Sequence, residues 1–342
     1  MKNVLMAIAG ASVAFMAASS ASAATLDDVK AKGFVQCGTN TALPGFAAPD
    51  DQGQWKGFDV DFCRAVAAAI FGDPTKVNFT PTNATERFTA LQSGEIDLLA
   101  RNTTWTLNRD TKLGFNFAGV NYYDGQGFMI NSKKLTGINS ALQLSGAAVC
   151  VQSGTTTELN LADYFAANNM QYNPVVFQGI EEVNQAYDAG RCDVLTTDQS
   201  GLYASRLKLS APDDHVVLPE IISKEPLGPV VRQGDDQWFD IVKWTLFALI
   251  QAEELGITQA NVEEMKGSAN PEIKRILGME EGSTLGTDLG LTNEWVVNII
   301  KGVGNYGEVF ERNIGAGSPL KIARGLNQLW TKGGIQYAMP IR

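Results

Sequence analysis

The sequence is poor in the residues that most hydrolases and redox enzymes rely on. Its single histidine, His215, lies among turn-formers in APDDHVV, where a loop position with a plain surface role is expected. Four cysteines occur and no two are spaced as C-x-x-C, so neither a zinc knuckle nor a dithiol redox motif is available. Basic residues, 27, are outnumbered by 37 acidic ones, and a net charge of −10 argues against binding nucleic acid by counterion release. Past the N-terminus no run reaches the roughly twenty apolar residues of a membrane span; WFDIVKWTLFALI is broken by Asp240 and Lys243. No metal and no cofactor is expected, and the chain after its N-terminus is not expected to span a membrane.

The N-terminus has the form of an export signal. Lys2 precedes the apolar stretch VLMAIAGASVAFMAA, and Ala21-Ser22-Ala23 follows as a small-residue cleavage site. Residues 1–23 therefore read as a signal peptide cut after Ala23, and no cysteine follows the cut to carry a lipid. The expected destination is a Gram-negative periplasm. What remains, 24–342, is too long for one ordinary core, so about two domains are expected.

A repeated phrase supports two units. LQSGEIDLLARNTT and AYDAGRCDVLTTDQS share a helix end, a glycine, an aspartate, an apolar strand and a polar loop; Gly94 matches Gly190 and Asp97 matches Asp193. Each phrase belongs to an α/β series of strand, helix, strand, helix, strand. NYYDGQGFMINSK and ISKEPLGPVVRQGDD read as two crossings of a hinge. The first lobe then comprises 24–127 and 225–342, the second 128–224, and from about 256 the first lobe carries a helical extension that includes SPLKIARGLNQLW. In an oxidising compartment four thiols form two disulfides, with three connectivities open. Pairing inside each lobe favours Cys37 with Cys63, from a strand and the next helix, and Cys150 with Cys192, both on predicted strands.

Ligands of open α/β sheets bind beyond the carboxyl ends of the strands, and the loops there carry the chemistry. RNTTWTLNRD follows EIDLLA and runs from Arg101 through Asn102, Thr103 and Thr104 to Arg109, a set suited to a carboxylate because guanidinium binds it through a planar fork. QSGTTTEL sets Ser153, Gly154, Thr155 and Thr156 at a helix start, where free N–H groups favour an anion; simple N-capping is the alternative. TTDQS delivers Asp198 from the matching strand end, facing an ammonium group. An anion receptor opposite a carboxylate describes a zwitterion, an α-amino acid.

These stretches, with GFDVDFCRAVA, AGRCDVLTTDQSGLYA and YGEVFERNIG, resemble the periplasmic amino-acid-binding proteins of solute-binding family 3, most closely the general L-amino-acid type that serves ABC transporters. The resemblance implies an α/β, two-lobed periplasmic-binding-protein (Venus-flytrap) fold of type II with two hinge strands. It implies that Arg109 and Thr104, with Thr156, hold the ligand α-carboxylate, while Asp198 and Asn102 hold the α-amino group. Leu43 stands where relatives selective for basic amino acids place a stacking aromatic. Arg87 matches the arginine that glutamate and aspartate binders set on the distal carboxylate, an internal salt bridge to Glu86 or Asp198 being the alternative. Trp105 and Phe46 are expected to wall the side-chain pocket. A monomer is implied, with an L-amino acid and an inner-membrane ABC permease as partners and no catalysis. The competing reading is a secreted dehydratase acting on prephenate or arogenate, which needs a proton donor that these loops barely supply.

Overall fold

The computed structural model describes residues 24–342; the expected signal peptide and its cleavage after Ala23 lie outside the described residues. Two five-stranded sheets of matching design dominate. In the first, the order is Val77–Thr82, Val35–Asn40, Leu98–Leu99, Val230–Arg232 and Phe115–Phe117. The first three strands run parallel and the last two antiparallel to their neighbours. In the second, the order is Asn173–Phe177, Ala148–Gln152, Val194–Asp198, Gln126–Asn131 and His215–Val217, again three parallel and then two antiparallel. A separate pair, Tyr122–Asp124 antiparallel to Glu225–Leu227, joins the two sheets where the chain leaves and returns.

The repeated phrase has a structural basis. Gly94 and Gly190 both end their helices in the left-handed region, at φ +80° and +76°. Asp97 N–H donates to the Gln36 carbonyl (2.8 Å) while its carboxylate accepts Gln36 N–H (2.7 Å). Asp193 and Ala148 exchange the same two bonds, both at 2.8 Å. Each aspartate thus locks the third strand of its sheet, in the order given, to the second.

Each lobe carries one disulfide, Cys37–Cys63 and Cys150–Cys192, as expected, though Cys192 sits in the turn before its strand. His215 departs from its expected surface role. It opens the strand His215–Val217, paired with Asn131, is buried, and its Nδ1 lies 2.8 Å from the Tyr187 hydroxyl; burial lowers its pKa.

The long helix Asp236–Glu254 packs on the first sheet and is capped by the Asp235 carboxylate, which accepts Trp238 N–H (2.9 Å). No helix among the described residues is long and apolar enough to cross a membrane. Helices Trp295–Val303 and Tyr306–Asn313 cover Phe58–Phe71 and the long helix, extending the core of the first lobe. The expected helix in SPLKIARGLNQLW is absent. That stretch is irregular, with a turn at Pro319 and Leu320, a left-handed Lys321 (φ +51°) and short 3-10 turns at Gly325–Asn327 and Trp330–Lys332, because Pro319 and Gly325 interrupt it and side chains such as Arg324 and Asn327 are committed to tertiary bonds. Arg324 makes a buried bidentate pair with Glu253 (2.5 and 3.0 Å).

Asn327 then meets the hinge. Its Oδ1 accepts Tyr123 N–H (2.7 Å) and its Nδ2 donates to the Tyr123 carbonyl (3.1 Å), satisfying the outer edge of strand Tyr122–Asp124. Asn327→Ala would leave two buried backbone groups unpaired, and a stability loss of about 1–3 kcal/mol is expected in thermal unfolding. An unchanged midpoint would show that water takes over both bonds.

Candidate functional site

The cleft between the sheets is built around three buried arginines. Arg87 leaves helix Glu86–Ser93 and donates from Nε to the Ala84 carbonyl (3.1 Å) and from Nη1 to the Arg101 carbonyl and Thr103 Oγ1 (both 3.2 Å). Arg101 donates only from Nε, to the Thr82 carbonyl (3.0 Å). Arg109 donates from Nη1 to the Thr104 carbonyl (2.9 Å), and both Arg87 and Arg109 lie over the Phe88 ring, at 4.7 and 5.1 Å. Their exposures are 2, 2 and 6 %, yet among the described residues none lies within ion-pair distance of a carboxylate. Three guanidiniums are therefore desolvated together with N–H groups to spare. Burial pulls all three below their ordinary pKa, Arg101 to about 10; like-charge repulsion from Arg101 and Arg109 adds to the effect on Arg87, and from Arg109 to that on Arg101, while Glu225 and Asp198 oppose it at Arg109. The alternative reading of Arg87, a salt bridge to Glu86 or Asp198, is not realised at ion-pair distance; its hydrogen-bond partners are the Ala84 and Arg101 carbonyls and Thr103.

Asn102 adopts a left-handed backbone, φ +33°, which few residues other than glycine tolerate. The buried Asp59 carboxylate accepts its N–H (2.8 Å), and Asn40 Nδ2 donates to its Oδ1 (3.0 Å). These two bonds hold the turn that carries the strand end from Arg101 to Thr104.

The acidic pole lies opposite. Asp198 ends strand Val194–Asp198, is 6 % exposed, and no hydrogen bond from a described residue reaches its carboxylate. Burial raises its pKa well above the ordinary range; Asp124 and Glu225 push the same way, and Arg87 and Arg109 oppose them. Asp124 is raised to about 6 by burial, although Ser200 Oγ and Gly125 N–H donate to it. Asp59 is likewise raised to about 6 by burial.

The sign of the resulting pH dependence follows. With folded values near 6 against 3.8, the folded protein binds more protons than the unfolded chain between those limits. This stabilisation is full below about pH 4 and is lost as pH rises through about 6. The ligand-free protein is expected to melt higher at pH 5 than at pH 7; a midpoint that rises from pH 5 to 7 would contradict the assignment.

The lobes are in contact around this cleft. Thr41 Oγ1 donates to Glu181 Oε2 (3.2 Å), and the hydroxyl oxygens of Thr104 and Thr156 are 3.4 Å apart. At Gly154, φ +73°, an added Cβ would sit 2.5 Å from Thr85 Oγ1, so the close approach of the lobes requires glycine there.

Several expected positions are placed differently. Leu43 and Phe46 are buried and pack into the first lobe's core, Phe46 among the rings of Phe58 and Tyr122. Trp105 is 39 % exposed, stacks on Phe117 (5.3 Å) and donates to Asp110 (2.8 Å), which turns its indole to the surface. Thr155 is the N-cap of helix Thr156–Ala167, accepting Glu158 N–H (3.1 Å) and donating to the Gln152 carbonyl (2.7 Å). Ser153 is half-buried on the adjoining turn, with its N–H given to the Phe177 carbonyl (2.9 Å). Asp59, Asp124 and Glu225 were not legible as site residues. Asp59 lies within GFDVDFCRAVA and the other two on the hinge strands, so acidic residues at hinge crossings were the available signal.

Among the described residues no cluster of His, Cys, Asp and Glu could hold a metal. The arrangement instead sets a group of buried arginines near a buried carboxylate that accepts no hydrogen bond from a described residue. The chain is 74% identical, over 100% of both chains, to the general L-amino acid-binding periplasmic protein AapJ of Rhizobium johnstonii. It is 57% identical, over 96% of this chain and 97% of the other, to the glutamate/glutamine/aspartate/asparagine-binding protein BztA of Rhodobacter capsulatus. Among solved structures it superposes with TM-score 0.93 and 74% identity on an ABC transporter periplasmic binding protein from Brucella ovis with glutathione bound, covering 94% of this chain and 100% of that one. Residues 35–260 match the model of the bacterial extracellular solute-binding proteins, family 3, and the chain is a member of that family.

Proposed function

We propose that this protein captures L-amino acids in the periplasm, in the cleft between its lobes, and delivers them to an inner-membrane ABC permease. The observation that carries this reading is the pair Arg109 and Asp198: both are buried, and among the described residues neither lies within ion-pair distance of an opposite charge, although Glu225 and Asp198 act on Arg109 from farther away and Arg109 keeps one hydrogen bond, to the Thr104 carbonyl. A zwitterion supplies both partners at once, the α-carboxylate to Arg109 and the ammonium to Asp198, and thereby offsets the desolvation of each. Residues 24–127 with 225–342, and 128–224, would act as the two closing units, monomeric and meeting on the ligand.

Arg87 and Arg101 add two further cations that an α-carboxylate alone does not neutralise, so side chains bearing a carboxylate or an amide would be favoured. The names of the relatives, general L-amino acid, glutamate and glutamine binders and a glutathione-bound homologue, support the same class. They are names of binding proteins, which weighs against the dehydratase reading. Isothermal titration of the protein, unfolded and refolded to remove carried-over ligand, with glutamate, glutamine, leucine, arginine and glutathione tests this. Binding of several amino acids with glutamate or glutamine tightest is expected. No heat from any amino acid would overturn the reading.

A further inference from the structure

Glu225 holds no ligand group in the reading above, yet its carboxylate accepts four hydrogen bonds from described side chains. It stands on the hinge strand Glu225–Leu227, 1 % exposed, in register with Asp124 of the other hinge strand. Its Oε2 accepts from Thr104 Oγ1 (2.5 Å) and from Thr156 Oγ1 (2.8 Å). Its Oε1 accepts from Asn160 Nδ2 (2.8 Å) and from Ser223 Oγ (2.7 Å). Thr104 belongs to the first lobe. Thr156 and Asn160 lie one turn apart on a single face of the second lobe's helix Thr156–Ala167. One carboxylate, fixed on the hinge, is therefore bonded to both lobes at once.

We propose that Glu225 is an interlobe latch: a positioning residue that holds the two lobes closed by accepting from Thr104 on one side and Thr156 and Asn160 on the other. This rests on the amino-acid-binding reading above and adds two consequences. The Thr104 and Thr156 hydroxyl hydrogens are spent on Glu225, so toward the cleft these side chains present oxygen lone pairs, and a ligand α-carboxylate draws on Arg109 and backbone N–H groups instead. Moreover, the latch involves no ligand side chain, so its contribution is the same for every amino acid. A carboxylate suits the position because a buried acceptor of four donors needs its lone pairs and has no hydrogen to place. An amide would turn an NH2 toward a donor.

The test is Glu225→Gln, close in size and shape, with Asn160→Ala as a second variant that leaves Glu225 in place. Titration calorimetry with glutamate, glutamine and leucine is expected to show affinities at least tenfold weaker in Glu225→Gln, by one common factor, and a smaller common factor in Asn160→Ala. Closure is read separately from the distance between spin labels placed at the exposed positions Glu95 and Asp163, with and without glutamate. The variant should populate longer distances than the wild type in both conditions. Unchanged affinities, or a loss confined to one class of amino acid, would overturn the latch. So would distance distributions identical to the wild type. A wild-type protein that binds no amino acid would instead refute the binding reading, and the ligand-free distances would still decide for or against the latch.

Discussion

Replacing Arg109 with alanine is expected to weaken binding of every amino acid by a factor between about thirty and several thousand, since truncating one partner of a buried charge pair costs about 2–5 kcal/mol. The size follows from where the guanidinium sits. It is 6 % exposed, held by a single bond to the Thr104 carbonyl and by the Phe88 ring, with its other N–H groups uncommitted. A ligand carboxylate left in the mutant cleft would lose its counter-charge without regaining water. The same substitution relieves repulsion with Arg87 and Arg101, so the ligand-free protein should not be destabilised in proportion. Calorimetric titration and thermal unfolding, measured on one preparation, separate the two effects. Arg109→Ala with wild-type affinity would remove the central assignment. Loss of binding with an equally large loss of ligand-free stability would reassign Arg109 to the scaffold.

The second large effect concerns the Cys150–Cys192 bond. It joins residues 42 apart in sequence, and loop closure of that length stabilises by about 4 kcal/mol in the chain-entropy model. Replacing both cysteines with serine is expected to lower the unfolding midpoint of the second lobe by on the order of 10 °C. The Cys37–Cys63 bond closes a shorter separation, 26, and its removal should cost slightly less. In the second lobe the bond ties strand Ala148–Gln152, which leads into the Thr156 helix start, to the turn before strand Val194–Asp198. Loosening it should therefore reduce affinity as well as stability. A midpoint within a degree of the wild type would show that the sheet alone fixes that register.

How far the sequence carries can be read from particular residues. The paired lobes were visible because Gly94 and Gly190, and Asp97 and Asp193, do the same local work: a left-handed helix stop, and a carboxylate that locks the third strand of the sheet to the second. Such work needs a fixed residue type at a fixed spacing, so it leaves a mark in one dimension. Arg109 and Asp198 were visible for a similar reason, each following an apolar strand in a loop that has no local need for it. The packing of Phe46 and Leu43 into the core was not legible because an aromatic or aliphatic near a strand end reads alike whether it faces a cleft or a core, and the helices that complete that core come from far along the chain. Glu225 was missed because its four donors come from three separate parts of the chain, and nothing in KEPLGP indicates them. The SPLKIARGLNQLW stretch was misread as helix because its apolar spacing is sound, while Arg324 and Asn327 are drawn instead to Glu253 and the hinge.

The most direct measurement is a crystal structure of the refolded protein with L-glutamate bound. The expected result has the α-carboxylate on the Arg109 guanidinium, the ammonium within hydrogen-bond reach of Asp198, and the side-chain carboxylate on Arg87 or Arg101. A glutamate whose α-carboxylate does not touch Arg109, or whose ammonium is bound away from Asp198, would contradict the account.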